Sequence, residues 1–219
     1  RIPAQDRVPV VVELYTSQGC SSCPPADALL GELSMFPDII ALSLHVDYWD
    51  YIGWKDPFAS EATTERQRAY ARAEGKRMLY TPQMIVDGRF ALVGSRRAEV
   101  LQAIETCFDM EKPVRLSVAR SALHLSAGPA PAEPAEVWLL AYDKEHLTTV
   151  AEGENAGREL DNHHVVRDLV RLGEWQGREV TLPLDLAGYR RAGRAGVALL
   201  VQQAGQGEIL GALACDLGS

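Results

Sequence analysis

The sequence predicts an α/β domain over residues 1–112, followed by a smaller, mainly antiparallel β module over residues 113–219. Three observations support this fold class. A continuous apolar run leads into a C-x-x-C motif, and apolar residues at helical spacing follow that motif. Two short apolar runs joined by Asp-Gly indicate a β-hairpin. The second half contains several short strand-like segments separated by turn residues.

The first predicted elements are a strand and a helix. Val8–Tyr15 is a nearly continuous run of apolar, β-branched residues, which is typical of a central strand covered on both faces, and Glu13 is the exception within it. Cys20 and Cys23 follow a short polar turn and are followed in turn by two prolines, which a helix tolerates in its first turn. The two cysteines are therefore expected where a helix begins.

A second strand and a second helix are expected next. Ile39–Val46 has the composition of a buried strand, and the aromatic segment Tyr48–Trp54 follows it. Asp56 is expected to cap the next helix, with Pro57 at its first position. The charged segment Glu61–Arg77 is expected to continue this helix.

The predicted α/β domain ends with a hairpin and a helix. Thr81–Val93 contains the two apolar runs and their Asp-Gly turn. Ser95 is expected to cap the last helix, which carries apolar residues on one side, and Lys112-Pro113 marks the boundary.

Short strands are expected throughout the second half. Their spacing is typical of an antiparallel, sandwich-like module, with the Pro/Ala-rich segment 127–134 as a surface loop. The predicted strands are Val114–Arg120, Ala122–Ser126, Ala135–Tyr142, Glu179–Leu184, Gly196–Gln202 and Ile209–Asp216.

Composition and charge exclude several classes of partner. The chain of 219 residues has a formal net charge of −8 and its basic residues are dispersed, which gives no general attraction to nucleic acid or anionic membranes. No apolar run approaches the roughly 20 residues that span a bilayer. The start at Arg1, without Met, is typical of a chain whose signal peptide has been removed, so we expect a periplasmic or secreted protein.

The C-x-x-C motif indicates thiol–disulfide chemistry. The N–H groups and dipole at a helix N-terminus stabilise a thiolate, which is the nucleophilic form of cysteine. Cys20 is therefore expected to attack a disulfide of a protein partner, and Cys23, deeper along the helix, to resolve the mixed disulfide. Protein thiols or disulfides are the expected partners, and this chemistry needs no organic cofactor.

The same residues carry a resemblance to known families. The strand, the Cys20-Ser-Ser-Cys23 motif at a helix start and the Thr81-Pro82 pair before a hairpin strand resemble the thioredoxin and glutaredoxin superfamily. GCSSCPPAD, HVDYWDYIGWKDPFAS and the GENAGRELDNHHVVRDL segment resemble an uncharacterised family of secreted bacterial proteins with a thioredoxin-like domain. The resemblance implies a thioredoxin-like fold for the first half and leaves the substrate open.

Three further residues of the predicted site depend on this resemblance. It implies that Pro82 is cis and faces the dithiol, where it leaves the backbone of Thr81 open to an extended substrate and keeps metal from the nearby thiol. Glu13 occupies nearly the place of the buried acid of thioredoxins, where burial raises a carboxyl pKa and allows proton transfer to and from Cys23. The alternative for Glu13 is an ion pair with a neighbouring basic residue.

Two alternative functions use the same cysteines. Cys20, Cys23 and His45 form a candidate three-residue ligand set for a copper or zinc chaperone, but a hydrogen-bonded histidine that orders the aromatic segment is the simpler interpretation of His45. A static Cys20–Cys23 disulfide in a non-enzymatic binding module is the other alternative. The adjacent His163 and His164 are a weak metal signal, because neighbouring side chains on a strand diverge.

The remaining aromatic residues and cysteines allow two interpretations each. Trp49 and Trp54 either offer a rigid contact surface for a polypeptide substrate or pack the loop onto the core. Cys107 and Cys215 are expected to be buried thiols, and a disulfide between them is the alternative.

Overall fold

The computed structural model of the protein describes residues 7–218 and contains strands and helices in an α/β arrangement. The strands are β1 (Val10–Thr16), β2 (Ile39–His45), β3 (Gln83–Val86), β4 (Phe90–Val93), β5 (Leu116–Ala119), β6 (Ala122–Leu125), β7 (Ala135–Thr149), β8 (Glu159–Trp175), β9 (Val180–Pro183), β10 (Gly196–Gln202) and β11 (Ile209–Asp216). The helices are α1 (Pro24–Leu33), α2 (Glu61–Ala73), α3 (Arg97–Phe108) and α4 (Leu186–Arg191).

One mixed sheet runs through both halves of the chain. Its strand order is β11-β10-β7-β8-β2-β1-β3-β4, and β1, β2 and β8 run parallel at its centre. β1 and β2 pair in full register from Val10 opposite Ile39 to Thr16 opposite His45. A separate antiparallel sheet has the order β5-β6-β9.

The layers on the two faces of the large sheet follow from the alternation of side chains in its strands. Val12 and Leu14 face α1 and α3, whereas Val11 and Tyr15 face α2, so every side chain of β1 is buried. In the second half, the three-stranded sheet packs its Leu123 onto one face of β7 and β10. The predicted fold class, a thioredoxin-like α/β core followed by antiparallel β structure, is confirmed.

The main feature that the sequence analysis missed is β8. This strand of 17 residues pairs antiparallel with β7 and contacts β2 in parallel, at Ser43 opposite Val165. Its polar residues and a register shift interrupt the alternation that identifies a strand. As a result, the second-half strands extend the central sheet.

Two predicted helix starts are wrong. Asp56 does not cap α2: the helix begins at Glu61, where the Ser60 side chain accepts a hydrogen bond from the Thr63 amide at 3.2 Å. Pro57 therefore lies outside the helix. The N-cap of α3 is Arg96 rather than Ser95.

Two smaller observations complete the fold. Cys107 and Cys215 are free thiols, the first buried and the second half-buried, so the disulfide considered between them does not form. None of the helices among residues 7–218 is both long and apolar enough to cross a membrane.

Candidate functional site

The predicted cysteine pair lies at the start of α1. Cys20 and Cys23 form a disulfide with their Cα atoms 5.4 Å apart, and Cys23 is the N-cap residue of the helix. Both prolines occupy the first helical positions, as predicted. Cys20 is 2% exposed and Cys23 is fully buried, although the two serines between them are exposed. The solvent thus reaches the turn mainly through its serines.

Asp27 lies one helical turn after Cys23 and is an acid that the sequence analysis missed. Its carboxylate is buried and accepts a hydrogen bond from the Thr16 hydroxyl at 2.8 Å. Burial raises the pKa of Asp27 to about 7, although the charge of His45 opposes that shift. A carboxyl group with this pKa can accept and donate a proton near neutral pH.

His45 and Asp56 form a buried pair at the end of β2. His45 Nδ1 lies 2.7 Å from Asp56 Oδ2, and both side chains are fully buried. Burial alone would lower the pKa of His45, but the charge and hydrogen bond of Asp56 outweigh it and raise the pKa. Within residues 7–218, His45 Nε2 has no hydrogen-bond partner. The two side chains act in opposite directions on Asp27, because His45 lowers the pKa of that carboxyl and Asp56 raises it.

The structure does not group the ligand atoms of His45 with those of the two cysteines among residues 7–218. Among the residues that the structure describes, the group of three ligating side chains within 4.8 Å of one another is Glu145, Asp161 and His163. His45 is instead a hydrogen-bonded histidine that orders the aromatic segment. Asp56 follows that segment, and its hydrogen bond with His45 fixes the segment to β2.

Glu13 faces away from the dithiol. Because side chains alternate along β1, Glu13 points to the α2 face, whereas α1 covers the opposite face. Arg66 donates two hydrogen bonds to it, at 2.8 and 3.1 Å, and Tyr70 and Tyr15 donate at 2.6 and 2.7 Å. Burial alone would raise the pKa of Glu13, but Arg66 and the tyrosines lower it overall. The raised pKa expected for Glu13 is therefore wrong, and the ion-pair alternative describes it.

Trp49 lies against the dithiol turn and contacts Thr81, and Pro82 lies near Ala26 of α1, with Gly94 between them. The Thr81-Pro82 bond is cis, as the resemblance implied. Trp49 Nε1 donates a hydrogen bond to the Thr81 hydroxyl at 2.8 Å. The same tryptophan packs so closely on Gly19 that a Cβ there would lie 3.2 Å from Trp49 Cβ. Trp49 is half-buried, which gives it both packing and exposed surface.

Gln18 ties the dithiol turn to the second half of the chain. Its side chain accepts a hydrogen bond from Trp54 Nε1 at 3.0 Å and donates to the side chains of Thr148 and Asn162 at 3.1 and 3.2 Å. The amide of the buried Asn155 donates to the backbone oxygens of Gln18 and Cys20, at 2.8 and 2.9 Å. The contacts with the second half span 130 to 144 residues of sequence, so no local pattern signals them.

A known protein family matches most of the chain, including the site. The model of a family described as "Protein of unknown function (DUF1223)" matches residues 11–202. The chain belongs to the DUF1223 family. That match includes both cysteines, the cis proline and all but the last turns and strand of the second half.

Two solved structures are similar to this DUF1223 chain. Protein AGR_C_4864 from Agrobacterium tumefaciens is 34% identical, with a TM-score of 0.81 over 99% of this chain and 97% of that one. HBP35 of Porphyromonas gingivalis is 13% identical, with a TM-score of 0.60 over 96% of this chain and 75% of that one, a likeness of fold alone. No curated protein matches the chain.

Proposed function

We propose that this chain exchanges disulfides with a protein partner through Cys20 and Cys23. The observation that carries the proposal is the cysteine pair at the N-terminus of α1 in a thioredoxin-like fold. The positive dipole of this helix end stabilises the thiolate that attacks a disulfide.

The proposed reaction has two steps. In the reduced protein, the Cys20 thiolate attacks one sulfur of the partner's disulfide, and the other sulfur of that disulfide leaves as a thiolate and takes up a proton. Cys23 then loses its proton and attacks Cys20 Sγ, which re-forms the Cys20–Cys23 disulfide and releases the partner's second sulfur as a thiol. Cys20 takes the attacking role because it is the more exposed of the two.

Asp27 replaces Glu13 as the proposed acceptor of the Cys23 proton. It belongs to the same helix, one turn from Cys23, and its amide donates to the Cys23 carbonyl at 3.0 Å. Its pKa of about 7 suits a base that works near neutral pH. Glu13 lies on the other face of the sheet and is neutralised by Arg66.

Four residues are proposed to contact the partner next to the dithiol. Thr81 and Pro82 directly precede β3, and Trp49, which contacts Thr81, offers a large, rigid surface. Trp54 is half-buried and lies where the dithiol turn meets the second half. An aromatic rim of this kind binds a polypeptide at low entropic cost.

Two measurements test the proposal. Equilibration with glutathione gives the reduction potential of the Cys20–Cys23 pair, and an exchange-active pair should lie well above about −300 mV. The Cys23→Ser variant should retain partners as mixed disulfides on Cys20, whereas Cys20→Ser should not. Trapping by Cys20→Ser alone would reverse the two roles, and a potential below −300 mV without trapping would exclude exchange.

A static disulfide in a binding module is the second candidate. The observation that favours it is the 2% exposure of Cys20, which leaves little sulfur surface for a partner. The same potential distinguishes the two, because a structural disulfide resists glutathione.

We also propose a periplasmic or secreted location. The basis is the resemblance of the motifs around Cys20 and Trp49 to secreted bacterial proteins, and the compartment must allow the disulfide to persist. Fractionation of the native host with an antibody against the chain tests this location directly.

A further inference from the structure

A groove of about 540 Å³ lies between α1 and β8. Pro24, Ala28 and Met35 line its helix side. Its other side is formed by β8, which approaches the helix closely because residue 31 is glycine: a Cβ there would lie 2.6 Å from the ring of His163. The groove is therefore built jointly by the thioredoxin-like core and the strand that the second half adds to it.

The groove begins next to the dithiol. Pro24, the first residue along it, directly follows Cys23. At the far end Met35 is 81% exposed, and such a flexible side chain adapts to varied apolar groups. A polypeptide joined to Cys20 would thus have an apolar surface beside it along α1.

Carboxylates outnumber cations along this surface. Asp27, Glu32, Glu159 and Asp161 line the groove together with one histidine, His163. Two of these carboxylates form ion pairs, since Glu32 pairs with Arg97 at 2.5 Å and Asp161 pairs with His163 at 3.2 Å. Among residues 7–218, Glu159 has no ion pair and is exposed.

We propose that this groove binds an apolar, lysine- or arginine-containing segment of the protein partner, next to the partner's reactive cysteine. The inference rests on the proposed exchange function and specifies its substrate class. The apolar helix side accepts aliphatic side chains, and the acidic residues of β8 attract cationic ones. Acidic segments meet like charges at the same place and are disfavoured.

Two activated peptides test this charge preference. Each contains one cysteine as a pyridyl mixed disulfide, flanked on both sides by Leu and Lys in one peptide and by Leu and Glu in the other. Attack by Cys20 of the reduced protein breaks the peptide–pyridyl S–S bond, forms a protein–peptide disulfide and releases pyridine-2-thione, which absorbs light. The rate of release is measured at low and at high salt.

We expect the Lys peptide to react about tenfold faster than the Glu peptide at low salt, and about equally fast near 1 M salt, where charges are screened. In the variant Glu159→Gln/Asp161→Asn the preference should fall to about twofold. The matched control Glu133→Gln/Glu179→Gln changes the net charge equally at two exposed positions outside the groove and should keep the preference. If the double variant unfolds, Glu159→Gln alone should lower the preference by about half.

Dipyridyl disulfide, which is small and uncharged, distinguishes failure of the groove proposal from failure of the exchange function. If it reacts but the two peptides do not differ, or if the control lowers the preference as much as the groove variant, the groove proposal is wrong and the exchange function stands. If neither it nor the peptides react with the reduced protein, the exchange function fails and the groove proposal fails with it.

Discussion

Asp27→Asn should stabilise the protein at alkaline pH, because the substitution removes a buried carboxylate without changing its shape. Burial raises the Asp27 pKa from 3.8 to about 7, so between these pH values the folded protein holds the proton more tightly than the unfolded chain does. The stability contributed by this proton is fully present below about pH 4 and is lost as the pH rises to about 7.

The expected magnitude follows from the same two values. The difference between 3.8 and about 7, at 1.36 kcal/mol per pH unit, corresponds to about 4 kcal/mol. The asparagine still accepts the hydrogen bond from Thr16, so we expect a net gain of about 3 kcal/mol in the free energy of unfolding at pH 8. At pH 4 the variant and the wild type should agree within about 1 kcal/mol.

Urea unfolding of the oxidised proteins at pH 4 and pH 8 measures this difference, and Asp109→Asn serves as the matched control at an exposed aspartate. A gain independent of pH, or a loss at pH 8, would refute the assignment of a raised pKa to Asp27. Asp27 is also the proposed proton acceptor. Asp27→Asn should therefore slow resolution by Cys23 about a hundredfold at pH 7 and leave attack by Cys20 unchanged. Equal slowing of both steps would indicate structural damage.

Three further substitutions have expected outcomes. Glu13→Gln leaves Arg66 buried without its counter-ion and should lower the free energy of unfolding, measured with urea, by about 3–5 kcal/mol. Resolution by Cys23 should be unchanged. Slower resolution without a loss of stability would instead support a catalytic role for Glu13. Trp49→Phe, which loses the hydrogen bond to Thr81, should slow exchange with a trapped protein partner more than exchange with a small disulfide, and equal slowing would assign Trp49 to packing. Asn155→Ala should cost about 2 kcal/mol and increase the alkylation rate of Cys20 in the reduced protein; an unchanged rate would mean that Asn155 does not restrict the dithiol turn.

Local patterns were sufficient for the parts of the fold that depend on neighbouring residues. The apolar run at Val8–Tyr15, the prolines after Cys23 and the Asp-Gly turn each determine an element by their own chemistry, and the structure has these elements within two or three residues of the predicted bounds. Strands β10 and β11 have the predicted bounds. For β8, the pairing with β7 and β2 outweighs a weak local pattern.

The site was less predictable, because burial decides its chemistry. Asp27 in the first turn of a helix has the pattern of an exposed residue that complements the helix dipole, but the packing of α1 against the end of β1 and against β8 buries it. Glu13 has the pattern of a buried acid, but the sequence does not show that Arg66 lies opposite it. Asp56 has the pattern of a helix cap, and its carboxylate is instead used by His45.

The close approach of α1 and β8 at Gly31 has a consequence for mutational tolerance. Alanine at an interior helix position is normally favourable over glycine by up to about 1 kcal/mol. At position 31, however, a methyl group would displace the ring of His163, and with it the ion pair to Asp161. In a library that covers every substitution of α1, position 31 would therefore reject residues that helix propensity favours, and selection for stability and selection for partner binding would act there together.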